Sequence, residues 1–328
     1  MKQLLNNLFE HKSLDKQQAK EVLLNIAQSK YNNSQVAAFL SVYLMRSITV
    51  DELTGFREAM LELCLPIDFK GAETIDIVGT GGDGKDTFNI STLACFVTAG
   101  AGLKVAKHGN YGVSSISGSS NVLEAIGYKF TNDNSILQKQ LDEAGLCFLH
   151  APLFHPAMKS VAPIRKELGV RTFFNMLGPI VNPSFPKYQL LGVYNLELLR
   201  LYNYLLQESN QQYVIVHSLD GYDEISLTSP FKIVSVQEEQ VLSPQQLGFK
   251  TLKQSDLHGG DSVETAAKIF VKILEGKGTE AQNNAVCANA AMAIRCVHPQ
   301  KSIEESVAMA KESLISQKAL GVYKKLVN

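Results

Sequence analysis

The chain has 328 residues, enough to bury a large core and to form either two domains or one large α/β domain. Hydrophobic residues make up 45% and charged residues 19%, the balance of an ordinary soluble globular protein. Lys plus Arg (31) and Asp plus Glu (32) nearly cancel, which removes the global basic field that non-specific nucleic-acid binding relies on, so no nucleic-acid partner is expected.

The first stretch, MKQLLNNLFEHK, carries an acid and two asparagines where a secretory signal needs an apolar run. Apolar residues then recur at three- and four-residue spacing in AKEVLLNIA and VAAFLSVYLM. Thr49 and Glu52 stand at capping-box spacing before LTGFREAMLELC. Residues 1–70 therefore read as a helical domain. At Thr74 the texture changes: TIDIV is a short β-rich run, GTGGDGKDTFN a glycine loop, and STLACFVTAGAG a helix. LKVA is the next strand, followed by the Gly/Ser-rich KHGNYGVSSISGSS.

NVLEAIG and NSILQKQLDEAG read as helices, LCFLHAP as a strand, and HPAMKSVAPIRKELG as a helix interrupted by Pro163. LLGVYN, YVIVHS and KIVSV are later strands, with LELLRLYNYLLQE as a helix between the first two; Ala-rich helix fills the C-terminal part. Strands alternating with helices imply right-handed crossovers. The expected fold class is α/β: a small all-helical domain plus a larger domain with a mostly parallel central sheet flanked by helices, the site lying in the cleft between. The longest membrane candidate, LACFVTAGAGLKVA, is too short and contains Lys104, so no membrane partner is expected. Cys64, Cys95, Cys147, Cys287 and Cys296 form no C-x-x-C pair, which argues for reduced thiols in a cytoplasmic protein and against a thiolate zinc site.

The glycine loop carries the first chemistry. Gly79, Gly81 and Gly84 satisfy G-x-G-x-x-G, and Gly79 through Lys85 satisfy G-x-x-x-x-G-K. A dinucleotide site needs an acid about 20 residues further on, at the end of the second strand, to accept the ribose hydroxyl. That strand end is Lys107-His108, which suits phosphate rather than a neutral diol. A P-loop needs Ser or Thr after its Lys, and Asp86 stands there instead. The helix also starts late, near Asn89 to Thr92, among polar caps. Both templates fail, yet their shared physics survives: backbone N–H groups of a glycine loop and a helix N-terminus hold an anion. A second such loop, KHGNYGVSSISGS from Lys107 to Ser119, follows the second strand and implies a ligand with more than one phosphate. Asp223 and Glu224, after the D-G turn of HSLDGYDEIS, could hold the Mg²⁺ that normally accompanies a polyphosphate.

The motifs DIVGTGGD, NIST, KHGN, GSSNVLEAIG, HPAMK, RKELGVRTFFNMLGP and DGYDEIS occur in one order along the chain. In this the sequence is similar to the anthranilate phosphoribosyltransferases, and the resemblance spans the chain. It implies a helical domain over residues 1–70, joined by part of 165–185, beside an α/β domain over 71–328, usually as a homodimer. The implied reaction displaces pyrophosphate from phosphoribosyl pyrophosphate by anthranilate, the second committed step of tryptophan biosynthesis.

By that resemblance, phosphoribosyl pyrophosphate falls to Gly79, Gly82, Asp83, Thr87, Asn89, Ile90, Ser91 and Thr92. The same substrate falls to the second loop at Lys107, His108, Gly109, Asn110, Tyr111, Gly112, Val113, Ser114, Ser115 and Ser119. Anthranilate falls to Gly79, Asn110 and Arg165, with His108 close to the aromatic substrate. Lys107, His108 and Asn110 are the candidate catalytic residues, and Ser91, Asp223 and Glu224 the candidate ligands of two Mg²⁺ ions. Arg165 has a physical case of its own, because a guanidinium meets a carboxylate in a bidentate fork.

Two positions depart from the family pattern: Tyr111 stands where Arg is usual after KHGN, and Asn121 where GSAD has its acid. One cation and one anion vanish together, as a lost ion pair would. A pyrimidine nucleoside phosphorylase would carry Lys-His just before the glycines, where this chain has Asp76-Ile77-Val78. A non-catalytic nucleic-acid-binding relative would show basic stretches and eroded metal acids, and this chain keeps Asp223 and Glu224.

Overall fold

The structure is a computed structural model and describes residues 1–112 and 116–327. The chain opens with α1 (Lys2–Phe9), α2 (Lys16–Ala27), α3 (Asn33–Met45) and α4 (Val50–Leu63). There follow β1 (Ile75–Gly79), α5 (Ile90–Gly100), β2 (Val105–Gly109), α6 (Ser119–Ala125), α7 (Asn134–Glu143) and β3 (Leu146–His150). Next come α8 (Ala151–Phe154), α9 (Met158–Leu168) and α10 (Phe174–Leu177), then β4 (Tyr188–Gly192), α11 (Leu196–Gln207), β5 (Gln212–Ser218), β6 (Phe231–Ser235) and β7 (Glu239–Leu242). Four helices close the chain: α12 (Val263–Leu274), α13 (Glu280–Val297), α14 (Ile303–Ile315) and α15 (Lys318–Val327). Among the described residues no helix is long and apolar enough to cross a membrane.

Two compact units result, one of residues 1–67 with 151–185 and one of residues 68–150 with 186–328. In the helical unit the Thr49 hydroxyl accepts from the Glu52 N–H (3.2 Å) while the Glu52 carboxylate accepts from the Thr49 N–H (3.0 Å), so α4 begins on a reciprocal cap. The same carboxylate is fully buried and also takes the Leu14 N–H, the Tyr43 hydroxyl and the Arg46 guanidinium. Segment 151–185 belongs here because its aromatic side chains complete the core: Phe173 stacks on Phe56 at 4.4 Å between centroids and meets Phe39 and Tyr43 edge-on. The Arg57 guanidinium, at 2.9 Å from the Ile180 carbonyl, ties the segment to α4.

The second unit is built on a seven-stranded sheet of order β3-β2-β1-β4-β5-β6-β7. The strands from β3 through β5 run parallel, and β6 and β7 are antiparallel additions at one edge. After β1 the chain moves to β2 on one side and later returns to β4 on the other, so the connections at the carboxyl ends of β1 and β4 diverge and leave a crevice there. Helix α5 is apolar on nearly all sides and buried at Ile90 and from Thr92 to Ala99, packed between the sheet and α13, α14 and α15.

Some details differ from the sequence reading: α9 runs through Pro163 without interruption, and β3 ends at His150, with Ala151 and Pro152 already in α8. β2 continues through Lys107, His108 and Gly109 rather than ending at Ala106. Lys107 is tolerated in this central strand because its ammonium donates to the Ile77 carbonyl (2.5 Å), while the His108 backbone N–H donates to the Asp76 carboxylate (3.2 Å).

Candidate active site

The crevice at the carboxyl ends of β1, β2 and β4 gathers most of the residues singled out by the sequence. β1 ends at Gly79, and the chain turns through Gly81, Gly82 and Gly84, all at positive φ. Asp83 accepts from the Lys85 N–H (3.1 Å). Asp86, the residue that does not fit a P-loop, is itself left-handed at φ 47°. Its carbonyl accepts from the Gly259 N–H, and Thr87 forms an isolated bridge with His258, so a distant segment fixes the far side of the loop. Asn89 is the residue before α5, and its side-chain amide donates to the Ser117 carbonyl (2.9 Å), joining the first glycine loop to the second. Ile90 and Thr92, in the first turn, are buried, while Ser91 faces the acid pair.

Asp223 and Glu224 leave the end of β5 and are nearly buried, at 7% and 8% exposure. The Asp223 carboxylate accepts from the Gly81 N–H (2.6 Å), and the Glu224 carboxylate from the Ser91 N–H (2.7 Å) at the α5 N-terminus. The approach is close enough to require glycine on both neighbouring strands: a Cβ on Gly79 would collide with the Asp223 carboxylate, and one on Gly192 with the Asp223 carbonyl.

Burial first, then the charges of Glu224 and Asp83, pushes the Asp223 carboxyl well above its ordinary range. Burial pushes Glu224 upward too, against the opposing pull of the Ser91 N–H. The arrangement therefore crowds carboxylates into a place where their ionised forms lack compensation. An oxygen-only donor set of this kind, with the Ser91 hydroxyl beside Glu224, fits a small hard cation such as Mg²⁺ and not a soft metal.

On β2, Lys107 is 2% exposed with its ammonium against β1, and His108 projects to the opposite face of the strand. Gly109 ends the strand. The Asn110 carbonyl accepts from the Ser119 hydroxyl (3.2 Å) and the Ser120 N–H (3.1 Å), which brings the two ends of the second loop together. Asn121 does the same from the other side: its oxygen accepts from the N–H groups of both Gly112 (2.9 Å) and Gly118 (3.0 Å). An amide serves this purpose as well as a carboxylate, which accounts for Asn at the position where the family pattern has an acid. Tyr111 meets the His150 ring edge-on at 5.0 Å and reaches Glu124 at 3.4 Å. Val113, Ser114 and Ser115 lie outside the described residues.

Arg165 belongs to the helical unit, on α9. Its guanidinium donates to the Asn175 side chain (3.2 Å) and lies 5.3 Å from the Phe174 ring centroid, partly withdrawn from water, which lowers its pKa from the ordinary guanidinium value. Asn175 also accepts from the Thr172 N–H, so the guanidinium is held in a defined place.

Residues 71–320 match the glycosyl transferase family, a/b domain, and residues 2–64 match the helical bundle domain of the same family. The anthranilate phosphoribosyltransferase of Flavobacterium psychrophilum is 63% identical over 99% of this chain and 98% of its own length. The chain belongs to the anthranilate phosphoribosyltransferase family. The Bacteroides fragilis relative of that name is 57% identical over 100% of this chain and 99% of its own. Among solved structures, the Thermus thermophilus anthranilate phosphoribosyltransferase superposes with a TM-score of 0.92 at 34% identity, covering 98% of both chains. The Saccharomyces cerevisiae member, in complex with PRPP and Mg, gives 0.91 at 27% identity, covering 98% of this chain and 95% of its own.

Several residues that shape the family site in this chain escaped the sequence reading. Gly192 and the 257–259 segment reveal themselves only through tertiary contact. Asn289, on α13 with its side-chain oxygen accepting from the Ile225 N–H next to the acid pair, left one trace: an Asn inside the Ala-rich run ANAAMA sacrifices helix propensity, which asks for a compensating bond.

Proposed function

We infer that this chain transfers the phosphoribosyl group of 5-phospho-α-D-ribose 1-diphosphate to anthranilate, giving N-(5-phosphoribosyl)anthranilate and pyrophosphate, the second step of tryptophan biosynthesis from chorismate. The observation that carries this reading is the convergence of the glycine loop, the α5 N-terminus and the Asp223–Glu224 pair at one end of the sheet, in a chain 63% identical to an anthranilate phosphoribosyltransferase.

Asp223, Glu224 and Ser91 would hold Mg²⁺, two ions by the family resemblance. Bound there, Mg²⁺ would offset the negative charge of the diphosphate and of the acid pair. The N–H groups of Gly81 and Ser91 each hold one oxygen of these carboxylates, which would leave the second oxygen of each for the metal. Gly79, Gly82, Asp83, Thr87, Asn89, Ile90 and Thr92 shape the cradle around the diphosphate. Lys107 fixes a positive charge beneath that cradle, and the backbone from His108 to Gly112 with Ser119 lines the second side. Each hydrogen bond to a charged oxygen contributes roughly 1.5–3 kcal/mol, so several together bind tightly.

In the transfer step the anthranilate nitrogen bonds to the anomeric carbon as the bond from that carbon to the diphosphate oxygen breaks. Both electrons of that bond leave with pyrophosphate, and the nitrogen then loses a proton. An arylamine is neutral at pH 7 and acidic once alkylated, so the chain supplies orientation and charge stabilisation rather than a strong base. Arg165 would pair with the anthranilate carboxylate, while Asn110 and His108 border the ring. The resemblance also supports a homodimer in the cytoplasm; Phe9, Leu44 and Met45 on the helical unit are exposed apolar side chains that a second copy would cover.

The test is anthranilate consumption, followed by its fluorescence, with phosphoribosyl pyrophosphate present. Consumption should be complete with Mg²⁺ and abolished by EDTA. Absence of any Mg²⁺-dependent consumption would overturn the reading.

A further inference from the structure

Asn289 sits in the middle of α13, 2% exposed, and makes no use of the helix's own polarity beyond one bond from its amide to the Ala285 carbonyl (2.9 Å). The rest of its amide is aimed at one residue 64 positions away in sequence: its oxygen accepts from the Ile225 N–H (3.0 Å), and its nitrogen donates to the Ile225 carbonyl (2.9 Å). This is the two-bond pairing that a neighbouring strand would offer, supplied by a side chain. Ile225 is itself fully buried and directly follows Glu224.

The other side of the acid pair is held as firmly. The Ser218 hydroxyl donates to the Glu224 carbonyl (2.7 Å), and the Ser218 N–H donates to the Tyr222 carbonyl (3.2 Å). With Gly192 pressed against the Asp223 carbonyl, the backbone from Tyr222 to Ile225 is fixed by β5, β4 and α13 at once. The two carboxylates point to two different N–H groups, those of Gly81 and Ser91, so a small rotation of this backbone would misdirect both.

We propose that Asn289 is a positioning residue for the metal-binding acid pair: by clamping both polar groups of the Ile225 backbone, it sets the direction in which Asp223 and Glu224 present their oxygens. The inference rests on the reading of that pair as magnesium ligands. Partners of metal ligands typically change metal affinity by about 10–100-fold when removed, and Asn289 acts one step further out, through the backbone, so the effect belongs at the lower end.

The experiment titrates Mn²⁺ into the full chain with phosphoribosyl pyrophosphate present and anthranilate absent, reading free Mn²⁺ by electron paramagnetic resonance, for wild type, Asn289→Ala and Ala291→Gly. Asn289→Ala should bind Mn²⁺ about 10-fold more weakly, require correspondingly more Mg²⁺ for turnover, recover rate at high Mg²⁺, and keep the wild-type KM for anthranilate. Ala291→Gly weakens the same helix but leaves Ile225 clamped, so it should lower the melting temperature and leave Mn²⁺ binding unchanged. Wild-type metal binding in folded Asn289→Ala, or equal weakening in both variants, overturns the proposal. Should Asn289→Ala not fold, Ser218→Ala frees the Glu224 carbonyl and must weaken Mn²⁺ binding; unaltered binding there overturns the proposal too. A wild type that neither binds Mn²⁺ nor makes product overturns the functional reading itself, a result distinct from a normal wild type with a normal variant.

Discussion

The helical unit and the carboxyl end of the sheet solve opposite problems. In the helical unit a buried charge is surrounded by donors: Glu52 accepts from two backbone N–H groups, a tyrosine hydroxyl and a guanidinium, and the Arg46 pairing helps keep it ionised. At the sheet end Asp223 and Glu224 are buried beside each other and beside Asp83, with one backbone N–H apiece. The first arrangement satisfies its charges internally and is finished without a ligand. The second is left in deficit, which is what the proposed magnesium site would need. Stability and function are thus written in different regions, and substitutions should separate them.

The largest expected effect is on the helical side. Phe56 is fully buried, stacks on Phe173 and meets Phe39 and Tyr43 edge-on. Phe56→Ala should lower unfolding stability by about 3–5 kcal/mol, measured by urea denaturation, while the fraction that remains folded keeps its KM for phosphoribosyl pyrophosphate. A variant with wild-type stability would show that the aromatic cluster does not hold this unit together.

Asp223→Asn should do the reverse. Removing the charge from the proposed metal site should cut kcat/KM more than about 100-fold, at or beyond the upper range seen for partners of metal ligands. The sign for stability follows from linkage. A carboxyl whose pKa is higher folded than unfolded is stable when protonated, and its ionised form costs stability increasingly as pH rises above the unfolded value. Asn removes that cost and its oxygen can still accept from the Gly81 N–H. The melting temperature in EDTA at pH 8 should therefore rise or hold; a fall would mean that Asp223 is a structural residue and the two regions are not opposites.

How much of this was legible in the sequence follows the same division. The helices of the first unit announce themselves by spacing and by the Thr49/Glu52 cap, and the glycine loop by composition, including the late start of α5 at Ile90. What was not legible depends on partners far away in sequence. Nothing local to Phe173 says that it stacks on Phe56; the family resemblance places part of 165–185 with the helical domain, but the residues themselves do not show that the segment joins it from 151 onward. Lys107 reads as a cationic strand end, whereas the bond to the Ile77 carbonyl lets the strand run through it. The short edge strand β7, with three of its four residues exposed, carries too little apolar pattern to be recognised.

Arg165 tests the comparison where it is weakest, because it lies in the helical unit and yet is proposed to serve the reaction. Its bond to Asn175 and its place against Phe174 could be read as internal satisfaction of the Glu52 kind. The difference is in the partner: Asn175 is neutral and already accepts from the Thr172 N–H, so the guanidinium, partly withdrawn from water, pairs with no carboxylate among the described residues and is left to prefer one on a ligand. Arg165→Ala should then raise the KM for anthranilate about 10-fold, the equivalent of roughly 1.4 kcal/mol and the low end for a charge-assisted bond. The KM for phosphoribosyl pyrophosphate and the melting temperature should change little. Arg165→Lys should recover only part of the loss, since an ammonium cannot make the bidentate fork. Should the alanine variant instead lose stability and bind anthranilate normally, Arg165 belongs with Glu52 among the residues that build the helical unit.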